Sequence, residues 1–247
     1  MAAIKVTGVV VRTVNYRDYD RILTLFTREK GSMTVSARGV RRTNARWRAG
    51  CQLFSTGEYL LYARGTRYYL SQVDVQQSYY ELRNSPQTMM HATFILNVME
   101  AAIVSDEPNE PLYALLMRAL ALYCHLDTDA SRITDYVLVQ AMRILGFGLQ
   151  LGECVRCRAG RNFTHFSISS GGVVCTDCKR NCADGKPLHP ALQDALRALS
   201  AARAEDLPAL PIHPQTLKNL LPLLVAYTQY HLDRIFKSAS LLYTFSS

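Results

Sequence analysis

A chain of 247 residues, 49% hydrophobic and 19% charged, has the length and apolar content for one large or two modest packed domains. No apolar run approaches the roughly 18 residues needed to span a bilayer, and the start MAAIKVTGVV lacks the features of a secretory leader, so a cytosolic protein with no membrane partner is expected. The formal charge is +8, and it is placed unevenly: residues 1–83 hold 14 Lys/Arg against 6 Asp/Glu, while the remainder balances. A domain-sized positive excess points to a polyanionic partner, most often nucleic acid.

The first third reads as β structure. IKVTGVVVRT and RILTLFT are rich in β-branched and apolar residues, and SMTVSAR alternates Met33, Val35 and Ala37 with polar neighbours, the period of a half-buried strand. GEYLLYA and RYYLSQVDV follow a long Arg-rich connection and are joined by RGT, a hairpin turn. Five short strands predict a small β-barrel of the OB type, although an SH3-like barrel gives a similar pattern.

At Ser85-Pro86 the period changes. Pro86 suits a first helical position, and Met89, Ala92, Leu96, Met99 and Ile103 then mark one apolar helix face. Asn109 caps a second helix, a third ends at Gly146, HPALQDALRALSA gives a fourth, and a long fifth surrounds LLPLLVAYTQY. The Met and Leu stripes are assigned to core.

Between the third and fourth helices lies the most specific chemical signal. Cys154-x-x-Cys157 and Cys175-x-x-Cys178 are separated by seventeen residues. Two such turns aim four sulfurs at one point, the donor set and geometry of structural zinc. The intervening NFTHFSIS and VV flank a Gly-Gly turn, as in a zinc ribbon. His165 and Cys182 rank as substitute ligands. Four filled positions leave none for water, so the site is read as structural, not catalytic. A thioredoxin-like redox pair lacks its βαβ setting. The surrounding Arg156, Arg158, Arg161, Lys179, Arg180 and Lys186 are read as a solvated rim.

The candidate DNA-binding segment is SARGVRRTNARWRAG. It carries Arg38, Arg41, Arg42, Arg46 and Arg48 with Trp47, and no acid occurs between Glu29 and Glu58. Guanidinium groups pair with phosphates and aromatic rings stack on unpaired bases. Tyr59, Tyr62, Tyr68 and Tyr69 are further stacking candidates, at least half of them expected in the core because strand faces alternate. No base-reading signature is present, so phosphate contact with weak sequence preference is predicted.

VVVRTVNYRDYDRILTLFTREKGSMTVSARGVRRTNARWRAGCQLF resembles the N-terminal signature of the RecO family of bacterial recombination mediators; ILGFG before CVRC, and LDRIFKS, also fit. The sequence departs from the family at QLF, where relatives often have Q-P-F, and at DYVLVQ, which lacks the Arg of R-x-F-E. The resemblance implies an OB-fold domain over 1–80, a helical domain over 84–247 and a zinc-binding insertion over 151–183, an α+β multidomain chain. It implies no enzyme active site. It implies binding of single- and double-stranded DNA, strand annealing, cooperation with RecR, and help in loading RecA onto DNA coated by single-strand-binding protein, in the bacterial cytoplasm at the nucleoid. Lys30, Arg64 and Arg67 join the DNA-contact set on this ground. An RNA-binding zinc-ribbon protein of translation or RNA handling is the alternative reading.

Overall fold

The computed structural model describes residues 3–244. Five strands close into a barrel in the order β1-β2-β3-β5-β4. β1 (Ala3–Tyr16) is long enough to serve two neighbours: residues 8–16 pair with β2 (Asp20–Thr27) and residues 3–9 with β4 (Thr56–Arg64), both antiparallel. A register shift between Val10 and Arg12 falls near the change of partner, where a bulge bends the strand. β3 (Gly31–Ala37) continues from β2, and β5 (Arg67–Gln77) returns along β4. The barrel closes through a parallel β3–β5 pairing of two residue pairs, Val35↔Tyr68 and Ser36↔Tyr69. This closed order is that of an OB-type barrel, and it resolves the choice that periodicity alone leaves open.

Alternation fills the interior. Met33, Val35 and Ala37 point inward and join Val10, Leu23, Leu25 and Leu61. Thr34 and Ser36 therefore point outward. Tyr59 is fully buried, its hydroxyl 2.9 Å from the Gly50 carbonyl oxygen, and burial pushes its ionisation far up. Gly57 has no substitute: a Cβ there would sit 2.1 Å from the Asp74 carbonyl oxygen.

By packing, the chain forms two compact units, Met1–Pro86 with Leu96–Cys124, and Gln87–Ile95 with His125–Ser247. In the first, the barrel rests on the end of α1 (Pro86–Ala102) and on α2 (Glu110–His125). Phe26 meets Tyr113 edge to face at 5.4 Å, Arg12 pairs with Glu100 at 3.0 Å, and Arg28 pairs with Glu110. Asn109 accepts from the Leu112 N–H at 3.0 Å and caps α2, as its sequence position predicts.

In the second unit α3 (Ala130–Ile144) is buried along most of its length and packs on α4 (Pro190–Ala201) and α5 (Pro214–His231). α5 runs unbroken through Pro222, and a short α6 (Ala239–Thr244) follows. Arg132 spans to the Pro-rich break, donating to the carbonyls of Leu207, Leu210 and Ile212 at 2.8–2.9 Å. His91 is buried, and desolvation lowers its pKa to about 4, so the ring is neutral. His91 Nδ1 and the Thr134 hydroxyl share a 2.7 Å hydrogen bond, and Thr134 Oγ1 lies 3.0 Å from the Ala130 carbonyl oxygen. Among the described residues no helix is long and apolar enough to cross a membrane.

Asp135, on α3, is fully buried, and neither carboxyl oxygen has a hydrogen-bond partner among the described residues. Desolvation, and then the charge of Asp129, hold its pKa well above the usual carboxylate range. Its folded pKa is raised, so the proton-linked cost is absent below the unfolded pKa of about 3.9 and grows as pH rises toward the folded pKa. Asp135→Asn is therefore expected to stabilise the protein. The gain should widen by up to about 1.4 kcal/mol per pH unit through this window. Urea melts at pH 5 and pH 8 check it; a gain independent of pH would count against a buried, protonated carboxyl.

Candidate nucleic-acid interface and metal centre

β1 and β2 are joined by the tight turn Arg17-Asp18-Tyr19, and β4 and β5 by Gly65-Thr66. Both turns border one groove on the outer face of the barrel. Its cavity is about 430 Å³, lined by Tyr16, Arg17, Asp20 and Ile22 on one side, Thr34 and Ser36 of β3 with Arg38 just past its end, and Thr66, Arg67, Tyr68 and Tyr69 on the other. A more open concavity adjoins it, lined by Arg17, Asp18, Tyr19, Asp20, Arg38, Gly39 and Arg42. In OB barrels the strand 2–3 face and the loops after strands 1 and 4 are where oligonucleotides lie.

The arginines are held over rings. Arg38 lies 4.7 Å from the Tyr69 ring centroid, Arg42 5.1 Å from Tyr19, Arg17 5.2 Å from Tyr16 and Arg46 4.4 Å from Trp47. A guanidinium stacked this way keeps its N–H edge free for phosphate. Tyr69 also stacks on Tyr62 at 5.2 Å and 16°. Arg41 has a different task. Its guanidinium donates to the carbonyls of Arg17 and Asp18, both at 3.2 Å, and its N–H to Tyr19 at 3.0 Å. Asp20 accepts from the Gly39 N–H at 2.8 Å. The Arg-rich connection is thus tied to the β1–β2 turn. That turn needs a tie, because Arg17 sits at φ +53°, a left-handed conformation that costs a non-glycine residue roughly 1–2 kcal/mol.

Of the sequence-derived set, Arg38 and Arg67 line the groove and Arg42 lines the adjoining concavity. Arg46 and Arg48 are exposed on the connection beyond it, and Trp47 packs against the barrel core. Arg64 faces Arg67 across the β4–β5 turn. Lys30 lies at the other end of β2, paired with Asp106 at 3.3 Å. Tyr59 belongs to the core, whereas Tyr62, Tyr68 and Tyr69 are half-buried. Arg17 and Tyr16 stand outside the sequence-derived set. The signal for them is YRDYD between two strands, the loop that an OB order turns toward its ligand face.

In the second unit the sulfurs of Cys154, Cys157, Cys175 and Cys178 all lie within 4.8 Å of one another, and Cys157 and Cys175 are 3.6 Å apart. A tetrahedral site with metal–sulfur bonds of about 2.3 Å has sulfur–sulfur edges of about 3.8 Å, so the donor set and its size fit a closed four-thiolate metal site. Each cysteine pair forms a turn, and the Cys175 N–H points at the Cys154 sulfur at 3.4 Å. Burial opposes ionisation of Cys154, but N–H groups of Cys157, Cys175 and Arg156 outweigh it and hold its pKa at about 6. Hydrogen bonding to Cys157, then burial, push Cys178 up to about 12. All four sulfurs can ionise together only if a cation shares their charge. His165 and Cys182 fall outside the cluster: His165 Nδ1 meets Thr164, and the Cys182 thiol lies 3.4 Å from Asp184.

The cysteine turns sit on a sheet of β6 (Phe163–Ser167), β7 (Gly172–Cys175) and β8 (Gly185–Pro187), ordered β7-β6-β8. β6 and β7 are the predicted pair around Gly171-Gly172; β8 is an addition. The β6–β7 turn docks on α5, where His231 Nε2 lies 2.9 Å from the Ile168 carbonyl and Tyr227 donates to Phe147 at 2.8 Å. A Cβ on Gly171, at φ +66°, would come within 2.7 Å of the Tyr227 hydroxyl, so only glycine lets the turn seat there.

Family models for the recombination protein O N terminal and C terminal match residues 1–79 and 83–240. The chain belongs to the recombination protein O family. Its relatives include proteins described as DNA repair protein RecO. One from Exiguobacterium is 37% identical over 172 residues, covering 69% of this chain and 68% of its own. One from Bacillus pumilus is 30% identical over 226 residues, covering 91% and 87%. A third, from Thermoanaerobacter, is 26% identical with 96% of both chains covered. The N-terminal RecO model spans the barrel strands and the groove, and the C-terminal one spans the four cysteines.

Proposed function

We propose that this RecO-family chain is a DNA-repair mediator that binds single- and double-stranded DNA, anneals complementary strands and, with RecR, assists RecA loading onto DNA covered by single-strand-binding protein. It acts in the bacterial cytoplasm at the nucleoid and performs no bond-making chemistry. The observation that carries the reading is the groove between the Arg17 and Arg67 turns, with three arginines and three tyrosines on an OB face. Arginines draw in phosphates, and the rings accept bases freed from a duplex. Two strands repel through their phosphates; a protein that neutralises one lets the other approach and pair. Within this reading residues 1–80 bind DNA and 84–247 form the helical domain that docks proteins. Zinc, held by Cys154, Cys157, Cys175 and Cys178, fastens the 151–183 insertion.

Annealing of a fluorophore-quencher pair of complementary strands tests this. The full chain should speed annealing at least about 10-fold at low salt, and salt should suppress the effect. Parallel titrations with DNA and RNA single strands of one sequence separate the readings. Tighter binding of RNA with no annealing would move the assignment to RNA handling.

A further inference from the structure

The barrel groove is not the only place where cations outnumber acids. The metal module also carries Arg156, Arg158, Arg161, Lys179, Arg180 and Lys186. Two of these are engaged internally: Arg158 pairs with Glu153, and Arg156 donates to the Asn181 carbonyl at 2.6 Å. Of the three acids in residues 151–187, Glu153 is thus neutralised and Asp184 is turned inward, accepting from Ser167 Oγ at 3.1 Å and from the Ser169 N–H. Only Asp177 is exposed.

Arg161, Lys179 and Arg180 are exposed, and none is in an ion pair among the described residues. Backbone bonds gather them. The Asn162 carbonyl accepts from the Thr176 N–H at 3.0 Å, which brings the Arg161 loop against the second cysteine turn. The Arg156–Asn181 bond ties the first cysteine turn to the 3-10 turn Lys179–Asn181. A four-thiolate site holding a divalent metal carries a net −2, but Cys154 and Cys175 are buried, so part of that charge lies beneath the cationic rim. Residues 151–187 hold no large exposed apolar side chain. Folded partners and peptides bind through such anchors. Free, long cations without one suit a flexible chain of phosphates.

We propose that the rim of Arg161, Lys179 and Arg180 is a second phosphate-binding surface, one that holds a second nucleic-acid strand while the barrel groove holds the first. The inference rests on the reading of the chain as an annealing protein. Pairing two strands requires both backbones to be neutralised, and one groove accounts for one of them. The rim offers point charges and no stacking ring, so it grips without reading bases.

The test is the full chain with Arg161→Gln, Lys179→Gln and Arg180→Gln together. Binding of one labelled single strand, followed by anisotropy, should change less than about twofold, because the groove is intact. Capture of a second, non-complementary labelled strand by the complex with an immobilised first strand should weaken. Its log K against log salt slope should fall by about 2, as loss of three single-strand phosphate contacts predicts. Annealing should slow about 10-fold. Unchanged second-strand capture and annealing, with metal content intact, overturns the proposal. So does loss of a labelled acidic peptide from the variant while second-strand capture persists, which would give the rim to a protein partner. If the triple variant loses its metal, the single substitution Arg180→Glu repeats the measurement. Failure of the parent chain to anneal at all would instead sink the functional reading; failure confined to the rim variant leaves that reading in place.

Discussion

Replacing Cys154 and Cys157 together by serine is expected to lower the unfolding midpoint by about 10 °C or more and to abolish metal content. Phe166, Ile168 and Val173 are buried in the module, but the cysteine turns themselves have little else to hold them. Their buried cluster consists of Cys154, Val174, Cys175 and Cys182, with half-buried neighbours, and one strand of the module's sheet has three residues. So small a cluster around the sulfurs does not by itself offset the ordering entropy of the cysteine turns, and a metal held by the four thiolates would supply the difference. The loss should not stay local. The β6–β7 turn seats against Tyr227 and His231 of α5, so a loosened module exposes part of the α5 face. Calorimetry with metal analysis of the same samples checks both parts. Acid should imitate the mutation, because protons compete with the metal for sulfur; metal-dependent stability is fullest at neutral pH and above and fades as pH falls. Single-strand binding by the barrel should survive both treatments. A metal-free double variant with an unchanged midpoint would remove the structural role.

The second large effect belongs to the groove. Arg17→Ala, Arg38→Ala and Arg67→Ala combined should weaken single-strand binding roughly 100-fold at low salt and lower the log K against log salt slope by about 2. Tyr69→Ala should behave differently. Losing one stacking ring costs about 1–3 kcal/mol per base and leaves the slope nearly unchanged, apart from the freedom it gives Arg38. Arg41→Ala supplies a third pattern. Its side chain is engaged by the Arg17 and Asp18 carbonyls, so its loss should loosen the turn and weaken affinity with a slope change well short of one full contact. Salt titrations of the three variants, with circular dichroism as a folding check, tell these roles apart. A triple variant with unchanged affinity and slope would place the DNA surface elsewhere.

These roles differ in how far the amino-acid string displays them. The four cysteines declare themselves, because Cys-x-x-Cys is a local geometry and two copies need only meet. Strand positions are nearly as plain: Met33, Val35 and Ala37 alternate, and the barrel buries them in that order. The groove is harder to read. Arg38, Arg41, Arg42, Arg46 and Arg48 look equivalent in a row, yet one lines the groove, one braces a turn and one stacks on Trp47. What separates them is the distance to a turn more than twenty residues earlier, and no local period encodes that. Arg17 is the complementary case: inconspicuous in sequence, it becomes central once strand order turns its loop to the face of β3. Asp135 resisted prediction altogether, since the pattern of α3 does not reveal a carboxyl without a partner.

One feature of the barrel links stability to occupancy. Its closure rests on two parallel residue pairs, Val35↔Tyr68 and Ser36↔Tyr69, and parallel pairing is slightly weaker per residue than antiparallel. Ser36, Tyr68 and Tyr69 also line the groove. The thinnest seam of the cylinder is therefore the floor of the groove proposed to bind DNA. A strand lying there bridges β3 to β5, so occupancy and closure reinforce each other by mass action. Amide protons along the seam should exchange fastest among the barrel strands in the free protein and slow most when the groove fills. A strand bound as proposed would act as a sixth stave of the barrel, present only while the groove is filled.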